Sequence, residues 1–435
     1  MTTLLNALPQ ANFNSKLDLA WVRSQFPSLS RTINGQHAAF LDGPGGTQVT
    51  QSVIDAISHY LNTSNANTHG QYATSHETDE IIDGARSAMA DFLGCDPAET
   101  VFGPNMTTLT FAISRSIGRE LGPGDEILLT RLDHSANVSP WQVLDERGVK
   151  IQFVDIREED CTLDMDDLAR KLSSRTKVVA VGYASNAVGT INDMKKIIRM
   201  AHDAGALAYI DAVHYAPHGF IDVGDLDCDF LACSTYKFFG PHMGVLYGKR
   251  EHLERFHPYK VRPNTDEVPG RWEMGTLNHE CLAGITACVD YLAELGRRTS
   301  KADSRTTDDV RRTTRRDSLY SGYRAIQFHE HELSLRMLRG LAEIPGLRLY
   351  GISDPARVAE RCPTFGIRIE GHHPAELARQ LGERGIFTWD GNYYALNLTE
   401  RLGVEQDGGL LRIGFVHYNT EEEVDRVLAE LGSLA

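Results

Sequence analysis

The chain has 435 residues, 41% of them apolar and 24% charged, with a formal net charge of −15. That length exceeds what one core usually holds, so a large domain with a smaller companion is expected. The acidic balance argues against nucleic acid or an anionic membrane as partner, and no apolar run approaches the roughly 20 residues that span a bilayer.

Residues 1–35 read as an N-terminal segment. Its first residues carry no basic region ahead of their apolar ones, so no signal peptide is expected and a cytoplasmic setting is. From about 100 to 248, strand-like and helix-like stretches alternate. Strands are predicted at 100–103, 126–130, 150–154, 177–183, 206–211, 230–234 and 243–247, with helices at 107–121, 140–146, 165–172 and 194–204. Apolar strands spaced by amphipathic helices predict an α/β fold with a mainly parallel sheet covered on both faces, and a large domain over 36–296. Residues 273–296 read as helical. The stretch 297–317 holds eight basic and four acidic residues and almost nothing apolar. It reads as a mobile insertion, assigned to 297–322, with a docking surface as the alternative. Helix resumes at 323–342. Elements at 364–370, 374–384, 386–389, 411–415 and 421–431 then predict a small α/β C-terminal domain over 323–435, which the N-terminal segment is a candidate to join. The seven cysteines are scattered without a Cys-x-x-Cys pair, which indicates neither a disulfide framework nor a metal site.

Lys237 carries the first chemical signal. It lies in Phe230-Leu-Ala-Cys-Ser-Thr-Tyr-Lys237-Phe-Phe-Gly-Pro, where an apolar strand runs into a Gly/Pro turn. Burial lowers the pKa of an amine and makes it a nucleophile toward carbonyls, the setting in which lysine bonds to pyridoxal 5'-phosphate (PLP). Four upstream features have chemistry that such a cofactor needs. Thr107, in Phe102-Gly-Pro-Asn-Met-Thr-Thr108, opens a helix whose N–H groups suit a phosphate. His134, in Leu132-Asp-His134, follows a strand and can stack on a ring. Asp211, in Tyr209-Ile-Asp211, ends a strand and can pair with a pyridine nitrogen. Ser234 can reach the same phosphate. Each has a bland alternative, namely an ordinary N-cap, a loop histidine, a turn-capping aspartate and a structural serine. Their order and their strand-end placement favour the ligand site. No Gly-x-Gly-x-x-Gly or complete P-loop is present.

With these motifs in this order, the chain resembles the class V aminotransferase branch of fold-type I PLP enzymes, and within it the cysteine desulfurases. The resemblance implies a seven-stranded-type, mainly parallel sheet flanked by helices. It makes Lys237 the Schiff-base lysine, Asp211 the pyridine partner and His134 the stacking ring. Asn186 falls near the ring hydroxyl and substrate, and Met106, Thr107 and Ser234 near the phosphate. Thr276 matches a threonine reaching the neighbouring subunit's phosphate, which implies a homodimer. Arg412 matches the clamp for an amino-acid carboxylate, a role suited to a planar two-pronged donor. The departures bear on the reaction. Tyr394 stands where desulfurases carry their persulfide-forming cysteine, Trp389 where they usually carry arginine, His214 in place of a glutamine beside the ring hydroxyl, and Tyr236 in place of the histidine before the lysine. A phenol cannot accept sulfur, so a β-lyase acting on carbon–sulfur bonds without persulfide chemistry is the expected activity. Transamination, epimerisation and aldol-type cleavage share its first step. The further alternatives are a desulfurase using a distant cysteine such as Cys362, and a non-catalytic binding protein.

Overall fold

Residues 17–301 and 313–435 are described by a computed structural model. Its centre is a seven-stranded sheet. Across the sheet the order is Thr100–Gly103, Gly244–Gly248, Phe230–Ser234, Leu207–Asp211, Thr176–Gly182, Glu126–Thr130 and Lys150–Val154. Only Gly244–Gly248 runs against its neighbours. Alternate residues of each strand supply two separate cores. Leu128, Val179, Ile210 and Leu231 face one of them, while Ile127, Val178, Tyr209 and Ala232 face the other. Such strands read as nearly continuous apolar runs because both faces are covered. Helix Met106–Ile117 fills one side through Met106, Leu109 and Ile113. Ala73–Leu93, Met194–Asp203 and His279–Lys301 belong to the other.

A second, antiparallel sheet is ordered Leu347–Tyr350, Thr364–Ile369, Leu410–Gly414 and Trp389–Gly391. Helices Arg315–Ala342, Pro374–Glu383 and Glu421–Leu434 bury Leu333, Met337, Leu377, Leu381, Val424 and Val427 around it in a third core. The early strand Ala39–Phe40 pairs in parallel with Ile386–Phe387, and Asp42 bridges to Gly414. The Gly-Pro-Gly-Gly turn that follows is thereby anchored beside the second sheet. No helix among the described residues is long and apolar enough to cross a membrane.

The local structure departs from the sequence expectations in three places. Residues 273–278 are not helical. Glu273 is drawn inward, where its carboxylate accepts both Arg86 guanidinium nitrogens at 2.9 and 2.6 Å and the Phe102 amide at 2.8 Å. Gly275 then turns the chain at φ +82°. The loop expected over 297–317 is also narrower than its composition implies. Helix His279–Lys301 continues past Gly296, and Arg315–Ala342 opens with a Thr314/Asp317 capping box. Arg315 and Arg316 are held there by Asp91 and Asp222, so charged side chains that suggested a solvated loop are helix-surface partners. Residues 302–312 of that expectation lie outside the described residues. Finally, the long helices Gln51–Thr63 and Ala73–Leu93 precede the alternating pattern from which the fold was read.

Candidate active site

The carboxyl ends of the parallel strands open into a cleft, where ligands of α/β sheets bind. Met106, Thr107, His134, Asn186, Asp211, His214, Ser234, Tyr236 and Lys237 all line it. At one end, helix Met106–Ile117 points its N-terminus into the cleft. Ser234 Oγ takes the Met106 amide at 3.1 Å, and Asn105 Oδ1 caps the Thr108 amide at 2.8 Å. The amide between them, that of Thr107, is left as the first-turn donor for an anion. A Cβ at Gly244 would come within 2.3 Å of the Asn105 carbonyl carbon. Only glycine lets strand Gly244–Gly248 run this close to the helix start.

Lys237 lies in the short helical turn after strand Phe230–Ser234. Its Nζ donates to the carbonyls of Pro44 at 2.6 Å and Gly45 at 3.0 Å. Burial, reinforced by the Arg412 charge, brings its pKa down to about 7. A substantial neutral fraction at physiological pH is what a nucleophilic amine requires. Asp211 is raised to about 6, by burial first, against the bond it accepts from the Val213 amide. A cation delivered to this carboxylate would lower that value again. His134 is depressed to about 4, chiefly by burial, so it presents a neutral ring. His214 is likewise depressed by burial and by His218, and its Nε2 meets Thr364 Oγ1 at 3.0 Å.

The second sheet packs beside the cleft through Asn186. Arg412, on strand Leu410–Gly414, is 3% exposed and donates through Nη1 to the Asn186 carbonyl at 2.9 Å. Its Nε is buried with no hydrogen-bond partner, and Asn186 Oδ1 is equally unpaired. Two orphaned polar atoms at a cleft mark places where a ligand completes the bonding. Trp389 pairs with Arg412 in register and is half-exposed. Tyr394 is 71% exposed, with its ring 5.5 Å from that of His134. Its carbonyl accepts the Ser135 amide at 2.6 Å and the Ser135 hydroxyl at 2.7 Å. Arg412, Trp389 and Tyr394 stand next to the cleft without lining it, and Thr276 lies apart from it. Thr276 is exposed beside a separate cavity with Met243 and Trp272.

Sequence reasoning passed over two acids. Asp42 sits near Arg412 and Lys237 and is raised to about 6 by burial. Its Oδ1 has no partner. The signal was the Gly-Pro-Gly-Gly turn after Leu41-Asp42. Asp133 lines the cleft, accepts Thr130 Oγ1 and, at 2.9 Å, Asn137 Nδ2, and is raised to about 7 by burial. A helix-end anion cradle, a buried carboxylate, a neutral ring, a low-pKa amine and an unpaired guanidinium nitrogen fit a planar phosphorylated aldehyde and an amino acid. Lys237 would hold the aldehyde carbon, Thr107 and Ser234 the phosphate, and Asp211 the ring nitrogen.

The chain is similar to known proteins along most of its length. The family model for aminotransferase class-V matches residues 39–313 and 319–427. A cysteine desulfurase of Pectobacterium atrosepticum is 32% identical over 427 residues, covering 94% of this chain and 96% of its own. A probable cysteine desulfurase of Halalkalibacterium halodurans is 31% identical, covering 93% and 95%. Among solved structures, a cysteine desulfurase of Thermococcus onnurineus in apo form superposes with TM-score 0.80 at 28% identity, covering 91% of this chain and 94% of that one. An S-sulfonic acid form of a cysteine desulfurase from Escherichia coli gives 0.79 at 26% identity, covering 95% and 97%. The chain belongs to the aminotransferase class-V family and is a fold-type I, PLP-dependent enzyme.

Proposed function

We propose that the chain removes the Cα proton and the β-substituent of a small amino acid, acting as a carbon–sulfur β-lyase that makes no persulfide. The observation that carries this reading is the absence of a thiol from the cleft wall. All seven cysteines are free, five are buried and two partly buried, and none lines the cleft. At its mouth stands Tyr394, whose phenol cannot accept sulfur.

Bound PLP would supply an electron-withdrawing ring conjugated to the amino acid's Cα. The chain's own groups do the rest. Lys237 first holds the cofactor and, once released, takes the Cα proton on Nζ, its low pKa matching a base at neutral pH. Asp211 accepts the ring N–H, and His134 covers a ring face. Met106, Thr107 and Ser234 form the phosphate end, while His214 and Tyr236 flank the ring. Arg412, with Asn186 beside it, takes the substrate carboxylate. Trp389 and Tyr394 shape the entrance. Thr276, exposed away from this cleft, is assigned to the phosphate of a second copy in a homodimer, and the setting is taken as cytoplasmic.

A second reading, cysteine desulfurase, is favoured by the names of the relatives. It requires a thiol to reach the cleft, and Cys362, close behind His214, is the candidate. The two readings separate on product. The PLP-loaded protein is mixed with cysteine, cystine and a panel of other amino acids. The lyase consumes water and yields pyruvate, ammonia and sulfide from cysteine. Alanine with sulfur left on the protein would replace it by the second reading. A keto acid without sulfide would indicate transamination.

A further inference from the structure

Behind the cleft, the fold gathers three side chains that the sequence keeps apart. His214 and His218 lie four residues apart in the run of turns after strand Leu207–Asp211, and Cys362 precedes strand Thr364–Ile369. One ligating atom from each lies within 4.8 Å of the other two. The residues are 5%, 4% and 1% exposed. We propose that His214, His218 and Cys362 bind a divalent metal ion of the zinc type, and that Glu330 supports the site.

The bonding around the cluster supports this. His218 Nδ1 meets Glu330 Oε2 at 2.9 Å, and His214 Nε2 meets Thr364 Oγ1 at 3.0 Å. Metal-bound histidines are held in this way, one ring nitrogen donating to a carboxylate or other acceptor while the other keeps its lone pair for the metal. That leaves His218 Nε2 and His214 Nδ1 as the coordinating atoms. Glu330 gives an independent sign. It is 2% exposed, its Oε1 has no hydrogen-bond partner, and its Oε2 meets His218 Nδ1. A buried carboxyl oxygen left without a partner marks a place where a ligand, ion or water completes the bonding. A divalent ion with the Cys362 thiolate and the Glu330 carboxylate sums to zero.

Donor type points the same way. A thiolate with two imidazoles suits zinc, with the fourth position left to a water. Bonds of about 2.0–2.3 Å to a tetrahedral ion bring donors to about 3.3–3.7 Å of one another, so the widest pair has to close by roughly 1–1.5 Å. Side-chain rotation covers such a movement. Metal binding exchanges the thiol proton for a metal–sulfur bond and releases that proton to solvent, with no change of oxidation state. The ion would tie His214, a cleft residue, to the second sheet through Cys362 and to helix Arg315–Ala342 through Glu330. The inference does not depend on the β-lyase reading, but it competes with the desulfurase reading, which needs the Cys362 thiol free.

The test uses the full chain loaded with PLP. Protein is incubated with zinc or cobalt(II), freed of excess metal by gel filtration and assayed for bound metal. The expected result is about one ion per chain in the wild type, and loss of it in Cys362→Ser and His218→Gln. Glu330→Gln should keep the site with about 10- to 100-fold weaker affinity. The cobalt form of the wild type should show thiolate-to-cobalt charge-transfer absorption when compared with the zinc form, a readout that needs no variant to fold. A wild type that retains no metal, equal metal in wild type and Cys362→Ser, or a cobalt spectrum without the thiolate band would each overturn the proposal.

Discussion

Arg412 Nη1 donates to the Asn186 carbonyl at 2.9 Å, so the guanidinium of the second sheet is pinned to the loop that follows a central strand. That bond fixes the direction in which the remaining nitrogens point. The buried, unpaired Nε is the available donor, and its natural partner is a carboxylate met side-on. Arg412→Lys keeps the charge but loses the fork. It should weaken amino-acid binding about 10- to 100-fold, the worth of one or two charge-assisted hydrogen bonds. Cofactor absorbance should persist. Titration of that absorbance with amino acids gives the number, and unchanged affinity would remove Arg412 from the substrate site.

The amine of Lys237 is held down to about 7, mainly by burial. Only the neutral amine attacks an aldehyde, and its fraction grows as pH rises toward the pKa. The rate of PLP uptake by cofactor-free protein should therefore rise about tenfold per pH unit below 7 and level off above about 8. An amine with an ordinary pKa would keep rising through pH 9. A stopped-flow series across that range distinguishes the two.

Tyr393 and Tyr394 both adopt left-handed backbone angles, φ +54° and +59°. Non-glycine residues reach this region at a cost of about 1–2 kcal/mol each. The turn is held by Asn186 Nδ2 on the Tyr393 carbonyl at 3.0 Å and by Ser135 on that of Tyr394. The exposed Tyr394 ring then lies 5.5 Å from that of His134. Tyr394→Phe should preserve turnover within about threefold. Tyr394→Ala should lose up to about tenfold in kcat/KM, the worth of an aromatic contact. A collapse of activity in the phenylalanine variant would make the phenol a proton donor instead.

The parts of this site that were legible in the sequence are those that end a strand. Asp211 and Lys237 each follow an apolar run and precede a turn, and that local pattern places them on the sheet's carboxyl edge. Asp42 was not legible in this way. Its strand, Ala39–Phe40, has two residues and exists because it pairs with Ile386–Phe387, a contact that local periodicity cannot announce. The helix expected to start at 273 failed for a related reason. Glu273 has a good helical propensity, but its carboxylate serves Arg86 and an edge-strand amide instead. The grouping of His214 and His218 with Cys362 is also tertiary, since it brings together segments about 150 residues apart in the chain.

That Glu273 contact carries a stability consequence. The Arg86 and Glu273 side chains are 13% and 7% exposed. Removing one partner of a buried pair strands the other charge, at a cost of about 3–5 kcal/mol. Glu273→Ala should lower unfolding stability by about that amount in urea titration, since the Phe102 amide also loses its acceptor. A change below about 1 kcal/mol would show that the pair is effectively solvated.

The most direct measurement is of the bond at Lys237. Protein saturated with PLP is reduced with borohydride, digested and mapped by mass spectrometry. The pyridoxyl-phosphate mass should fall on the peptide holding Lys237, and Lys237→Ala should carry none. A label on another lysine, or no label on a folded and PLP-saturated wild type, would contradict the account.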